Sequence, residues 1–256
     1  MGSQARRCRC PPSIAFRARS ATMPAAPPAP RSPTRRPPMS EPLLPAADPD
    51  LPATLDACRR CELWASASRP VAGAGPRRAA IMLVGEQPDA QDDRSGQPFS
   101  GTAGRLLDRA LTEASLARSE TYATYALKHL RRDAAGRPRA DEAPAGHELD
   151  ACRYWLEREI RSVAPRVIVA FGTAALRAVL DDPQAAVHRM PLPYRLPGGE
   201  RVIATLAPAQ VLRTRGADSR ERAWQQIVKA LRAARRIAQA ADETAEPATS
   251  ASSPAV

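Results

Sequence analysis

Apolar and polar positions along the middle of the chain fall into blocks with two different periods. Short unbroken apolar runs stand at 79–84 (AAIMLV), 121–127 (TYATYAL), 167–171 (VIVAF) and 201–206 (RVIATL). Runs of that length without alternation are the signature of strands buried on both faces. Between them the period changes. Leu106, Leu107, Ala110, Leu111 and Ala114 recur at i, i+1, i+4, i+5 and i+8, which is one face of a helix. Leu149, Cys152, Leu156 and Ile160 form a similar stripe within 147–163, and 173–180 and 219–238 read as two further helices. Strand and helix alternate, so the pattern predicts an α/β fold, a three-layer αβα sandwich around a central four-stranded, mainly parallel sheet. Ligands of such sheets bind beyond the carboxyl ends of the strands. The loops 85–89 (GEQPD), 128–146 and 207–213 (APAQVLR) all leave such ends, so three loops are predicted to converge on one cleft.

The two ends of the chain fall outside this pattern. Residues 1–50 are rich in Pro, Arg, Ser and Ala, with too few large apolar side chains to offset the entropy of ordering, and they are predicted to be disordered. An acid-free, Arg-rich start is also the composition of a transit peptide; a flexible tail, or a start at Met23 or Met39, is the plainer reading. Residues 241–256 (ADETAEPATSASSPAV) read as a second disordered tail, leaving one folded domain over 51–240. No apolar run approaches the roughly 18–20 residues of a membrane helix. The head also lacks an apolar signal core, so the expectation is a cytoplasmic monomer.

Charge changes this picture less than its size suggests. The formal net charge of +11 points to an acidic partner such as nucleic acid. Yet residues 1–40 carry eight Arg and no Asp, Glu or Lys, which leaves +3 for everything after them. Only Lys128 and Lys229 are lysines, so nearly all of the cation is Arg. Cysteine is more informative. Cys58 and Cys61 form a Cys-x-x-Cys pair and Cys152 lies in a predicted helix. Without an export signal such a pair more often binds metal or does redox chemistry than forms a structural disulfide.

One stretch carries a longer pattern. Residues 85–111 read GEQPDAQDDRSGQPFSGTAGRLLDRAL, an acid-rich loop followed by a helix that opens on Gly-Thr-Ala-Gly. Together with CRRCELW (58–64), LKH (127–129), ACRYWL (151–156) and VIVAFG (167–172), it resembles the uracil-DNA glycosylase superfamily, over about residues 55–235. The resemblance is to the iron–sulfur branch, family 4, and its UdgX-type relatives. Such enzymes flip a base out of the stack, at roughly a few kcal/mol, into a pocket with an aromatic floor and a carboxylate at the sugar. The resemblance makes Phe99 the stacking floor and Glu86 that carboxylate, with Gln87 beside it contacting the base. Without the motif Phe99 would read as a core aromatic and Glu86 as a solvated loop acid. Asp89, Asp92 and Asp93 read as solvent acids, with Asp93 the best candidate to support the loop. The resemblance also implies a 4Fe–4S cluster on Cys58, Cys61, His129 and Cys152. Spacing alone does not separate it from a zinc site of three Cys and one His.

Three departures from the family pattern touch the chemistry. The family's uracil-reading Asn is replaced by Tyr125, which offers one hydroxyl in place of an amide that both donates and accepts. The final His-Pro-Ser is Ala207-Pro208-Ala209, followed by Leu212 and Arg213 as wedge and phosphate contact. The basic loop of the UdgX-type branch falls on 137–141, where Arg137 and Arg139 would grip DNA and Asp141 stands where that branch has its reactive His. His147 is the spare imidazole nearby, at the start of a helix. The sequence therefore predicts a DNA glycosylase that excises uracil or a related deaminated base, with activity weakened or redirected. The alternative is a catalytically impaired iron–sulfur protein that recognises damaged or single-stranded DNA.

Overall fold

The computed structural model describes residues 51–139, 142–187 and 193–243, all within the unit spanning 47–256. The predicted disordered segments at 1–50 and, for the most part, 241–256 lie outside the described residues, as does Asp141.

Four parallel strands form the sheet where the apolar runs predict them: β1 (Ile81–Gly85), β2 (Thr121–Tyr125), β3 (Val167–Phe171) and, after a two-residue strand β4 (Tyr194–Arg195), β5 (Arg201–Thr205). The sheet order is β2-β1-β3-β5-β4. Among the described strands only β4 runs antiparallel, pairing Tyr194 with Val202 at the edge, and two exposed residues leave no hydrophobic pattern to predict it. Among the described residues six α-helices surround the sheet: α1 (Ala90–Ser95), α2 (Thr102–Glu113), α3 (Gly146–Val163), α4 (Thr173–Leu180), α5 (Pro208–Arg213) and α6 (Ala217–Glu243).

Period-two alternation along each strand sends neighbouring side chains to opposite faces, and both faces are covered. Ile81, Leu83, Val167, Val169, Phe171 and Ile203 pack with Leu107 and Leu111 of α2 and with Ile227, Val228 and Leu231 of α6. Met82, Val84, Ile168, Ala170 and Val202 pack on the other side with Leu149, Cys152 and Leu156 of α3 and Leu176 of α4. The result is the predicted three-layer sandwich.

Local chemistry sets the helix ends near the rim. Asp89 caps α1 by accepting from the Gln91 and Asp92 N–H groups, while the Asp92 side chain accepts from the Asp89 N–H. This reciprocal box satisfies otherwise orphaned donors, and Gly96 ends the helix in the left-handed conformation. α5 opens on Pro208, whose missing N–H costs nothing at a first helical position. The register aligns the strand ends: Gly85 lies opposite Tyr125, and Phe171 opposite Thr205. One rim therefore carries the residues that follow all four parallel strands.

Candidate active site

At that rim a cavity of about 370 Å³ opens between the loop after β1, the start of α2, the ends of β2 and β3, and α5. Glu86, Gln87, Phe99, Tyr125, Leu212 and Arg213 line it together with Phe171, Ala207, Pro208 and Ala209. The two largest cavities, of about 620 and 820 Å³, lie along β5 and α6. The smaller one at the rim is the better site because it gathers a half-buried carboxylate, an aromatic wall and a strained backbone.

The strain is at Phe99, whose φ of 57° is a left-handed conformation rare for a bulky residue and costs about 1–3 kcal/mol. Its surroundings fix it. The Phe99 N–H donates to the Tyr125 hydroxyl (3.1 Å), and the next N–H, of Ser100, donates to Asp92 Oδ1 (2.7 Å). The Phe99 carbonyl lies so close to Gly104 on α2 that any Cβ there would collide with it. The ring stacks on Tyr125 at 4.6 Å and 28°, and meets Phe171 edge-on at 6.3 Å.

Glu86 follows β1 and turns its carboxylate to the N-terminus of α4, where Oε1 accepts the Ala174 N–H at 2.9 Å. Gly172 makes room: its φ of 94° suits glycine, and a Cβ there would lie 2.5 Å from the Glu86 carboxyl carbon. Burial pushes the Glu86 pKa above the usual carboxylate range, against the opposing pull of the Ala174 N–H and of Arg213. A carboxylate so placed can orient water or stabilise positive charge on a substrate.

The loop acids correct the expectation that they are solvated. Asp92 and Asp93 are both fully buried. Asp92 accepts four hydrogen bonds, from the Asp89 N–H, the Tyr125 hydroxyl, and the N–H and hydroxyl of Ser100, so it ties the loop to β2. Asp93 accepts from the N–H and hydroxyl of Ser68 and pairs with Arg132 at 2.9 Å. Burial raises its pKa, but those hydrogen bonds and the guanidinium more than offset this and leave it lowered. The Asp-x-x-Asp spacing of the capping box was the signal for Asp92.

Beneath the rim, Lys128 is fully buried and donates to Thr124 Oγ1 (2.6 Å), the Tyr125 carbonyl (2.8 Å) and Glu159 Oε2 (2.7 Å). No motif pointed to this pair. The Gln87 amide nitrogen is turned to the neighbouring loop, donating to the carbonyls of Arg139 (3.1 Å) and Glu142 (3.3 Å). Arg131 holds the same loop through Glu148 at 2.9 Å and the Glu142 carbonyl at 3.0 Å. Arg137 is exposed and pairs with Asp133, and Arg139 pairs with Glu142. Leu212 stands 42% exposed on α5 beside the exposed Arg213. His147 is exposed at the start of α3.

The four expected metal donors come from the segment before β1, the loop after β2 and α3. The Cys61 and Cys152 thiols share a hydrogen bond, which draws Cys61 down to about 6 and, with burial, pushes Cys152 up. Cys58 and Cys152 are buried. His129 Nδ1 is buried without a hydrogen-bond partner, and burial lowers the imidazole's pKa, which favours the neutral, ligating form. Among the described residues no three such side chains are already arranged as a metal cage. The donor types and the orphaned imidazole nitrogen nonetheless suit an iron–sulfur or zinc centre.

Comparison with known proteins gives this arrangement a context. The sequence profile of the uracil DNA glycosylase superfamily matches residues 72–232. A type-4 uracil-DNA glycosylase of Thermotoga maritima is 32% identical over 176 residues, covering 68% of this chain and 87% of that protein. One from Archaeoglobus fulgidus is 33% identical over 132 residues, 52% of this chain and 63% of the relative. A type-5 uracil-DNA glycosylase of Pyrobaculum aerophilum is 32% identical over 143 residues, 50% of this chain and 60% of the relative.

Proposed function

The chain belongs to the uracil-DNA glycosylase superfamily, and from that premise we propose that it is a DNA repair glycosylase that removes uracil or a related deaminated base. The reading rests on one observation above the others: the Glu86 carboxylate, anchored at the start of α4, faces the cavity walled by the stacked Phe99 and Tyr125 rings. A base turned out of the helix would lie along that wall, with its sugar towards Glu86. Water attacks the anomeric carbon as the glycosidic bond breaks. The bond's electron pair leaves with the base, which takes a proton from solvent, while the attacking water gives up a proton through Glu86 to solvent as the new C–O bond forms. Glu86 orients that water and stabilises the positive sugar, and Asp141, by its place in the sequence alone, is the candidate for a second carboxylate. Gln87 ties that loop to the pocket rim and borders the base. Leu212 fills the gap left in the stack, while Arg213, Arg137 and Arg139 take backbone phosphates.

A second reading has its own support. Ala207 and Ala209 bring only methyl groups to the side of the cavity where charge would develop on the leaving base. Losing one donor there costs on the order of 3–4 kcal/mol, so the protein would bind damaged or single-stranded DNA with little turnover. Excision separates the two readings. Oligonucleotides carrying uracil, hypoxanthine or xanthine, single- and double-stranded, are expected to yield abasic sites from at least one base. Salt-dependent binding with no abasic product from any of them would leave the second reading.

A cluster would be held by Cys58, Cys61, His129 and Cys152, and when bound it would chiefly pin the first segment and the loop after β2 against α3. Anaerobically purified protein is expected to contain iron and acid-labile sulfide, and to lose both in Cys61→Ala. Stoichiometric zinc without iron would replace the cluster by a three-Cys, one-His zinc site. The proposed setting is cytoplasmic, at the nucleoid, with the protein acting as a monomer. None of the described helices is long and apolar enough to cross a membrane.

A further inference from the structure

The inner wall of the cavity is unusual in what it withholds. Tyr125 ends β2 with its ring stacked on Phe99 at 4.6 Å, and only 5% of the residue is exposed. Its hydroxyl donates to Asp92 Oδ2 at 2.7 Å and accepts the Phe99 N–H at 3.1 Å. A phenol has a single donor, and here Asp92 takes it. A main-chain donor on the same wall, the Phe99 N–H, is spent on that same hydroxyl. The Tyr125 carbonyl accepts from Lys128, and the Thr124 hydroxyl engages Lys128 and Glu159. The polar atoms that β2 and Phe99 bring to this wall thus point into the protein, and the wall presents ring surface to the cavity.

Resting on the glycosylase reading above, we infer that Tyr125 is a specificity-determining residue: it makes the base subsite select planar bases by shape and stacking, not by hydrogen bonds to their edges. The substrate class follows. Deaminated pyrimidines and purines of suitable size are accepted alike, and discrimination between them comes from how readily each leaves the stack and its sugar. A pocket of this kind separates similar ligands by roughly 10- to 200-fold, whereas one built around hydrogen bonds to the ligand separates them by roughly 10⁴–10⁵.

Uracil and cytosine test this directly, because they share a shape and differ in edge. The probes are single-stranded oligonucleotides bearing the 2′-fluoroarabino nucleotide of each base, whose fluorine resists glycosidic cleavage, so affinity is read without turnover. The full-length wild type is expected to prefer uracil over cytosine by less than about 200-fold. Tyr125→Phe removes the hydroxyl but keeps the ring, and is expected to lower thermal stability while leaving that ratio within threefold. Tyr125→Asn supplies a donor and an acceptor, and is expected to raise the ratio at least tenfold. A wild-type ratio above about 200, or a larger change in Tyr125→Phe, would show that the edge is read and overturn the inference while the glycosylase reading stood. Failure to bind any modified strand more tightly than an unmodified control would remove the parent reading and this one with it. Should Tyr125→Asn not fold, the wild-type and Tyr125→Phe ratios still decide.

Discussion

Glu86→Gln is expected to reduce base excision by about 10²- to 10⁴-fold, the range for a positioned acid–base group, while the fold is retained. The amide keeps an oxygen for the Ala174 N–H, so the contact at the start of α4 survives and only the charge is removed. The effect on stability has the opposite sign to the effect on rate. Burial raises the Glu86 pKa in the folded state, so the protonated carboxyl is the form the fold favours. Its favourable contribution is complete below the unfolded pKa and is lost as pH rises through the folded one. At pH 8 the ionised carboxylate is therefore held at a cost, and Glu86→Gln is expected to unfold at a higher temperature than the wild type. Near pH 4 that gap closes. The excision rate of the wild type is expected to follow the same group, falling as pH drops through a pKa above the ordinary carboxylate range of about 4. Single-turnover excision against pH, alongside thermal unfolding at pH 4 and pH 8, measures both. Unchanged excision in Glu86→Gln would move the catalytic role to another group, and a lowered unfolding temperature at pH 8 would make the loss of rate structural.

The fold was legible because its strands are buried on both faces and so appear as unbroken apolar runs, with helix stripes between them. What the pattern missed is what leaves no apolar trace. The strand β4 is two exposed residues, and α1 and α5 are single short helices fixed by an Asp89–Asp92 box and by Pro208. In the site, the wall and the carboxylate after β1 could be placed because the motif is long and ordered and strand ends define a rim. Of the supporting charges only Asp93 was singled out, and its burial was not. A string of four acids in one loop looks solvated, since burying carboxylates is unfavourable unless each finds donors. Those donors are Ser68, Ser100, Tyr125 and Arg132, up to 39 positions away in sequence and adjacent only once the sheet has formed. The pairing of Lys128 with Glu159 is hidden in the sequence for the same reason. The orientation of Tyr125 was likewise unreadable, because it is set by Asp92, whose capping-box spacing marks a helix start and not a partner for β2.

Asp92→Ala is accordingly expected to be the most destabilising single change in the site, by about 3–5 kcal/mol. Its carboxylate is fully buried and satisfies the Asp89 N–H, the Ser100 N–H, the Ser100 hydroxyl and the Tyr125 hydroxyl. Removing it strands buried donors, each worth about 1–3 kcal/mol when left unmade, and the sum is reduced because Ser100 can still reach Ser95 at 2.9 Å. The consequence for the site is specific. Phe99 holds its left-handed backbone against a cost of about 1–3 kcal/mol, and the bonds that enforce it run through Tyr125 and Ser100 to this one carboxylate. Without Asp92 the cheaper path is for Phe99 to relax and the stacked pair to come apart. Asp92→Asn, which keeps two acceptor sites but adds an N–H₂ that must displace a donor, is expected to fall between Ala and the wild type. Denaturant unfolding gives the energies, and amide hydrogen exchange at Phe99 and Ser100 locates the damage. Full stability with slow exchange at both amides in Asp92→Ala would mean that the pocket wall is held by packing alone. Loss of both ties the acid-rich loop to the shape of the cavity, with the buried carboxylate as the post on which the aromatic wall is hung.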